Sequence, residues 1–97
     1  MIVLIAHYYC KIGESTAVLQ ALKQMKPLVE ANEPGCTFYQ VSRATDNADH
    51  LLLYEHYVDE PALLAHRDTP HFKEIIEGQI LPRLEKRERE LYTLEIG

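Results

Sequence analysis

The chain contains no tryptophan, and its 97 residues include only two cysteines and four glycines. Cys10 and Cys36 lack the Cys-x-x-Cys spacing of redox motifs and zinc half-sites, so we expect both to be buried and reduced. No Gly-rich phosphate loop, dinucleotide fingerprint or Ser-His-Asp order is present. These absences disfavour a flavin or nicotinamide cofactor bound by the chain alone.

Positive charge is also scarce: the chain has 10 lysines and arginines against 15 aspartates and glutamates, so its formal net charge is −5. Such a chain repels a phosphate backbone, and its densest basic run, residues 83–89, is diluted by Glu85 and Glu88. We expect no nucleic-acid partner and interpret this run as a solvated helix or strand end.

Long apolar runs are missing as well, and no stretch approaches the roughly 20 residues of a membrane span. Residues 1–10, interrupted by His7, carry neither a basic leader nor a small-residue cleavage site. We therefore expect a cytoplasmic protein without a membrane partner.

The apolar residues follow short periodic segments, which predict a single domain over residues 1–97. Strands are predicted at residues 2–11, 36–43, 50–58 and 91–96, with a polar loop at 44–49. A first helix is predicted through about residue 31, with a bend near Pro27. Asp59 and Thr69 are predicted to begin two further helical segments, the second of which ends at Pro82.

This β-α-β-β-α-β order is typical of the α+β class and of the ferredoxin-like split βαβ sandwich, a four-stranded antiparallel sheet covered on one face by helices. The first strand is largely apolar on both of its alternating sets, so the other sheet face also needs cover. A second copy of the chain, related by twofold symmetry, would supply that cover most simply. We therefore expect a homodimer.

Histidine and tyrosine carry most of the candidate chemistry, with five and six copies. Neither His-x-x-x-His nor His-Glu-x-x-His spacing occurs, which disfavours a metal site. His66 is the main catalytic candidate, because it follows Leu63 at helical spacing and so shares its inward face. A neutral imidazole there could accept a proton, or it could be a structural histidine bonded to a backbone carbonyl.

The sequence predicts a substrate pocket between sheet and helices that suits a flat aromatic or a small oxygenated molecule. His7 and Tyr9 share one face of the first strand, and Tyr54 and His56 share one face of the third. Together with His71, these are the predicted pocket residues.

Glu55 interrupts an otherwise apolar strand, where an ionised carboxylate is costly unless it is paired or hydrogen-bonded. We interpret it as a structural residue tied to Arg43 or to a backbone amide, rather than as a catalytic base, with Tyr57 as neighbouring polar support. Tyr8 and Tyr39 are interpreted as ordinary strand residues.

Residues 33–73 carry the most distinctive pattern: Glu-Pro-Gly-Cys opens a strand, Glu55-x-Tyr57 lies in the next strand, and His66 precedes Thr-Pro-His-Phe. In this order the chain resembles the antibiotic biosynthesis monooxygenase superfamily of small dimeric α+β barrels, although relatives often carry tryptophan where Tyr57 stands. The resemblance implies a homodimer and, in several members, oxygenation of quinols or polycyclic phenols by molecular oxygen without metal or flavin. It also matches His66 to a histidine of the family.

Haem-degrading relatives ligate haem through a histidine near the positions of Ile75 and Ile76, and they carry tryptophan where this chain has His66. These departures argue against haem, so we expect no cofactor. An electron-rich phenol can itself reduce oxygen once a base has removed its proton.

Two alternatives remain open. Residues 54–73 resemble equally the members that process autoinducer-2, which implies isomerisation of a small phosphorylated carbonyl compound, with His66 as proton shuttle and Arg67 or Lys73 near the phosphate. The dimer could also bind a small molecule without turnover, because fold alone never proves an activity.

Overall fold

A computed structural model describes residues 1–97. Four strands form one sheet: β1 (Ile2–Cys10), β2 (Cys36–Ala44), β3 (Asn47–Tyr57) and β4 (Leu84–Thr93). The helical segments are α1 (Ser15–Asn32), α2 (Glu60–Arg67), the π-helix α3 (Phe72–Ile80) and a 3₁₀ turn (Leu81–Arg83). None of the helices has both the length and the apolar character needed to cross a membrane.

The sheet is antiparallel throughout, with the strand order β2-β3-β1-β4. The element order and this topology confirm the predicted α+β, ferredoxin-like split βαβ fold. The core lies between the helices and one face of the sheet. On that face α1 fully buries Val18, Met25 and Val29 in one cluster with Leu51 and Leu53 of β3.

Capping residues in the sequence correctly predict where two of the helical segments begin. Asp59 Oδ1 accepts a hydrogen bond from the backbone N–H of Ala62 at 2.9 Å, which confirms the predicted cap of α2. Thr69 Oγ1 accepts one from the Phe72 N–H at 3.2 Å, just before α3. Pro27 lies inside α1, and the helix continues past it to Asn32.

Two predicted boundaries are wrong. β3 begins at Asn47 rather than residue 50, so the predicted loop at 44–49 shrinks to a turn of two residues. The last strand begins at Leu84 rather than residue 91. Its segment before residue 91 is charged on both faces and gives no hydrophobic alternation. An edge strand tolerates such residues, because its side chains reach water.

The two cysteines are free thiols, with Cys10 buried and Cys36 half-buried. Burial, followed by the charge of Glu55, raises the pKa of Cys36 to about 11. A thiolate is therefore disfavoured at Cys36 near neutral pH.

Gly35 lies at the closest approach between the start of β2 and helix α2. A Cβ atom there would be 2.6 Å from the Cβ of Ala62, and the Gly35 carbonyl accepts a hydrogen bond from the Val58 N–H at 2.9 Å. Gly35→Ala should therefore lower the free energy of unfolding by about 1–3 kcal/mol, the usual cost of overpacking. Denaturant unfolding measures this change.

Gly78→Ala is the matched control, because its Cβ would meet only the Lys73 carbonyl at 3.5 Å, an ordinary contact. We expect its stability to stay within about 0.5 kcal/mol of the parent chain. Equal stability of the two variants would contradict the close packing of α2 on Gly35.

Candidate functional site

A buried carboxylate at the end of α1 holds two histidines. Glu33 directly follows α1, and the Pro34-Gly35 turn then returns the chain to β2. Its Oε1 lies 2.6 Å from Nδ1 of His66, and its Oε2 lies 2.5 Å from Nε2 of His71. Only 8% of Glu33 and 4% of His66 is exposed, so these hydrogen bonds are shielded from water. The end of α1 is thereby tied to α2 and to the start of α3.

These contacts determine which nitrogen of His66 carries the proton. Burial acts to raise the pKa of Glu33, but the hydrogen bonds from His66 and His71 outweigh it and lower that pKa below its ordinary value. An ionised carboxylate can only accept hydrogen bonds, so His66 donates from Nδ1. In the neutral ring this leaves the lone pair of Nε2 free to accept a proton.

A second buried carboxylate lies on the other side of the His66 ring. Glu55 of β3 is 2% exposed, and its Oε1 is 3.9 Å from Nε2 of His66. It accepts a hydrogen bond from the Tyr57 hydroxyl. Burial raises the pKa of Glu55, and burial together with Glu55 strongly raises the pKa of Tyr57. The expected tie to Arg43 is wrong, because that arginine lies opposite Leu51 in the strand register.

Three aromatic rings surround the His66 imidazole. The ring centroid of Phe72 lies 5.1 Å away in an edge-on arrangement, and those of Tyr57 and Tyr39 lie 5.4 Å and 6.4 Å away. These rings shield the imidazole from bulk water, so its interactions with charged neighbours are stronger than they would be in solvent.

A cavity of about 20 Å³ adjoins His66 between the sheet and the helices. It has room for about one water molecule, so a larger ligand requires the side chains at its border to move. The hydroxyl of Tyr39, which lines the cavity, is buried and has no hydrogen-bond partner. Burial, followed by the charge of Glu55, raises the pKa of Tyr39. This neutral hydroxyl is available to a ligand oxygen.

The cavity wall consists of residues from β1, β2, β3, β4, α2 and α3, namely Leu4, Ala6, Tyr8, Tyr39, Glu55, His66, Arg67, Phe72, Ile76, Arg87 and Arg89. A larger surface groove, about 630 Å³, lies between α1 and β2 beside Lys23 and Lys26. It contains no histidine and no part of the buried network. We therefore take the cavity at His66 as the candidate site.

The structure divides the predicted site residues between the two sheet faces. Glu55 and Tyr57 lie beside His66 on the helix-facing side, and His71 shares Glu33 with it. The sheet separates the other predicted pocket residues from His66; these are His7, Tyr9, Tyr54 and His56.

The expectation that those four residues line the sheet-helix pocket is wrong. Strand alternation puts Leu53 and Glu55 against the helices, so the intervening Tyr54 faces the opposite way. On that open face His7 bonds to His50 at 3.0 Å and to Glu90 at 2.9 Å. The i, i+2 spacing correctly predicts which residues share a strand face, but it does not predict which of the two faces packs against the helices.

Sequence reasoning missed several residues of the site. Glu33 was present in the Glu-Pro-Gly-Cys signature, and its position just before a strand was its only signal. Tyr8 and Tyr39 occupy ordinary strand positions, and nothing in the sequence marks them as cavity residues. Arg87 and Arg89 lie in a run whose composition predicts a solvated segment, although their spacing of two places them on one strand face.

No group of three or more His, Cys, Asp or Glu side chains is arranged to hold a metal ion.

The two carboxylates should have opposite effects on stability. Folding lowers the pKa of Glu33, so its contribution to stability is complete above its ordinary value of 4.5 and is lost as the pH falls through the folded value. Glu33→Gln should therefore lower the free energy of unfolding at pH 7 by about 1–3 kcal/mol, the usual cost of a lost charged hydrogen bond. The difference should shrink below about pH 4.5.

Glu55→Gln is the matched control for this change. Folding raises the pKa of Glu55, so its ionisation opposes folding as the pH rises above 4.5. Glutamine keeps an acceptor for Tyr57 and removes that cost, so the variant should gain stability relative to the parent as the pH rises. Urea unfolding between pH 4 and 8 measures both effects. A Glu33→Gln variant as stable as the parent at pH 7 would contradict the network.

Comparisons with known proteins agree with this architecture. The family model for antibiotic biosynthesis monooxygenase matches residues 1–78. No curated protein matches the chain. The crystal structure of a conserved protein from Methanosarcina mazei Go1 has a TM-score of 0.88 at 26% identity, covering 97% of this chain and 92% of that one.

Two further solved structures share the fold. An antibiotic biosynthesis monooxygenase has a TM-score of 0.89 at 22% identity, covering 99% of this chain and 100% of its own. Rv0793 from Mycobacterium tuberculosis has a TM-score of 0.88 at 23% identity, covering 99% and 96%. The family model spans most of the sequence, which confirms the resemblance noted above, and the chain belongs to the antibiotic biosynthesis monooxygenase family.

Proposed function

We propose that the chain is a cofactor-independent monooxygenase acting on a quinol or a phenolic aromatic molecule. The observation that carries this proposal is the position of His66, whose Nδ1 is held by Glu33 and whose ring borders a small cavity that Phe72 and Tyr39 also line. The free Nε2 of this ring can remove a phenolic proton. Membership of the monooxygenase family supports the same reaction class.

The chemistry begins with transfer of the phenolic proton to Nε2 of His66. The phenolate then gives one electron to molecular oxygen, and the phenoxyl radical and superoxide combine at a ring carbon that bears hydrogen. Transfer of the proton from His66 to the distal peroxide oxygen, with loss of the ring hydrogen, cleaves the O–O bond. The products are a quinone carbonyl and one water, so one phenol and one oxygen molecule are consumed.

Two neighbouring groups assist His66 in this scheme. Glu33 stabilises the imidazolium that forms when Nε2 accepts the proton, because its carboxylate already accepts from Nδ1. The unpartnered hydroxyl of Tyr39 donates to the substrate oxygen. A hydrogen bond that forms only with substrate favours binding of a molecule with an oxygen at that point.

His66→Gln tests the assignment. It removes the base while keeping a polar side chain, so oxygen uptake with 1,4-dihydroxynaphthalene should fall by about 10²–10⁴-fold in folded protein. His50→Gln, on the opposite sheet face, is the control and should stay within about twofold of the parent. Turnover and the unfolding midpoint are measured on the same samples. Unchanged turnover in fully folded His66→Gln protein would exclude His66 as the base.

A second candidate function is isomerisation of a small phosphorylated carbonyl compound. The observation in its favour is that Arg67 borders the cavity next to His66, whereas Lys73 is exposed and outside it. Substrate-dependent oxygen uptake supports the monooxygenase, and exchange of a substrate proton with solvent without uptake supports the isomerase. Tight binding with neither reaction supports a non-catalytic binding dimer.

We also propose that the chain forms a homodimer through its open sheet face. Apolar and aromatic side chains from three strands lie on this face, including Ile5, Phe38, Leu52 and Tyr54. The Nε2 atom of His56, on the same face, is buried and has no hydrogen-bond partner. A twofold partner would cover the apolar groups and could supply an acceptor.

Leu52→Arg tests this assembly, because a buried unpaired charge at the interface opposes association. We expect a monomer by sedimentation velocity, and an unfolding midpoint that no longer depends on protein concentration. Leu64→Arg, on the exposed side of α2, should remain dimeric. A parent chain that sediments as a monomer at micromolar concentration would overturn the proposal.

A further inference from the structure

Three arginines form one wall of the cavity at His66. Arg67 is the last residue of α2 and directly follows His66, while Arg87 and Arg89 lie two residues apart on β4. In the strand register they lie opposite Tyr8 and Ala6 of β1, both of which also line the cavity. Two separate elements thus bring three guanidinium groups to the same opening.

No carboxylate lies within ion-pair distance of these arginines. None of the three takes part in an ion pair, whereas Glu88 pairs with Lys86 and Glu90 pairs with His7. The one carboxylate in the cavity, Glu55, accepts a hydrogen bond from Tyr57 and also attracts Arg89. A single carboxylate beside three guanidinium groups leaves the wall with an excess of positive charge.

The arginines are close enough to repel one another. Burial, followed by the charges of Arg67 and Arg87, lowers the pKa of Arg89. This clustering occurs in a chain with a net charge of −5, so it is not a consequence of general basicity. Like charges held together beside an unpartnered buried hydroxyl, that of Tyr39, are the arrangement expected of an anion site.

We infer that the substrate of the proposed reaction carries an anionic group, a carboxylate or a phosphate, bound by Arg67, Arg87 and Arg89. The inference rests on the proposed function for the position of the phenolic oxygen, which lies at Nε2 of His66 and the hydroxyl of Tyr39. Guanidinium groups suit this role because their planar N–H pairs match carboxylate and phosphate oxygens.

The same arginines form a partly solvent-exposed part of the cavity border. Arg67 and Arg87 are half-buried and Arg89 is exposed, so the border on this side consists of long side chains rather than packed backbone. An aromatic anion can displace them outward while binding them, which enlarges a cavity of about 20 Å³ without unfolding a helix. A neutral aromatic would displace them without that compensation.

Equilibrium binding without oxygen tests this inference separately from catalysis. The probes are 2-naphthol, its carboxylated analogue 3-hydroxy-2-naphthoate, and 2-naphthyl phosphate, measured by calorimetry on the full chain. We expect one or both anions to bind at least tenfold more tightly than 2-naphthol. Tighter binding of the carboxylate or of the phosphate identifies which group the site accepts.

Arginine variants localise the effect. Arg87→Gln and Arg89→Gln should each weaken binding of the preferred anion by about tenfold, and should leave 2-naphthol within about twofold. Arg43→Gln, which removes the same charge from an exposed position outside the cavity, should have no effect. Equal affinity for all three probes, no binding of any probe, or the same loss in Arg43→Gln would overturn the inference.

Failure of the monooxygenase proposal and failure of the anion site give different experimental results. If anions bind as expected but no phenol or quinol causes oxygen uptake, the arginine site stands and the isomerase becomes the favoured activity. If oxygen uptake occurs but the anions show no preference, the anion site fails and the monooxygenase stands.

Discussion

The two hydrogen bonds that Glu33 accepts from His66 and His71 hold the candidate site together. A carboxylate that is 8% exposed would be costly alone, and the two imidazoles offset that cost by donating to both of its oxygens. The three residues belong to separate elements, so the contact also determines how the end of α1 meets α2 and α3. The same hydrogen bonds therefore stabilise the packing of the helices and orient the His66 ring.

The His66 ring lies between two carboxylates in different environments. The pKa of Glu33 is lowered by its histidine partners, whereas burial raises that of Glu55. Two carboxylates with opposite shifts beside one imidazole make an asymmetric arrangement: Glu33 orients the ring through Nδ1, and Glu55 lies on the Nε2 side, where burial disfavours its ionised form. Proton transfer to Nε2 is thus stabilised by the charge of Glu33 on the opposite side of the ring.

The fold was predictable from sequence because its main signals are local. Short runs rich in β-branched, aromatic and other apolar residues predict the first three strands, and Asp59 predicts the start of α2 by capping it. β4 was largely missed because its helix-facing side chains include Arg87 and Arg89, which give no hydrophobic signal. We propose that these same two arginines bind an anion. The hydrophobic pattern that predicts strands therefore fails at residues that we assign to function.

The site was predictable only in part. His66 follows Leu63 by three residues, and this helical spacing predicts that it lies on the inward face of α2. Its partner Glu33 is far away in the sequence and contacts His66 only in the folded chain. For His56 and the other open-face residues, spacing defined a shared face without saying which face the helices cover. That choice depends on packing of whole elements rather than on any local pattern.

The hydrogen bond to Glu33 determines which nitrogen of His66 carries the proton, and this can be measured. Nitrogen-15 NMR of the imidazole near neutral pH, with His66 assigned by comparison with His66→Gln, distinguishes a protonated Nδ1 from a protonated Nε2. When the ring is neutral, we expect its proton on Nδ1, directed at Glu33, and a bare Nε2. A neutral ring with its proton on Nε2 would contradict this assignment, because no acceptor would then be left for the substrate proton.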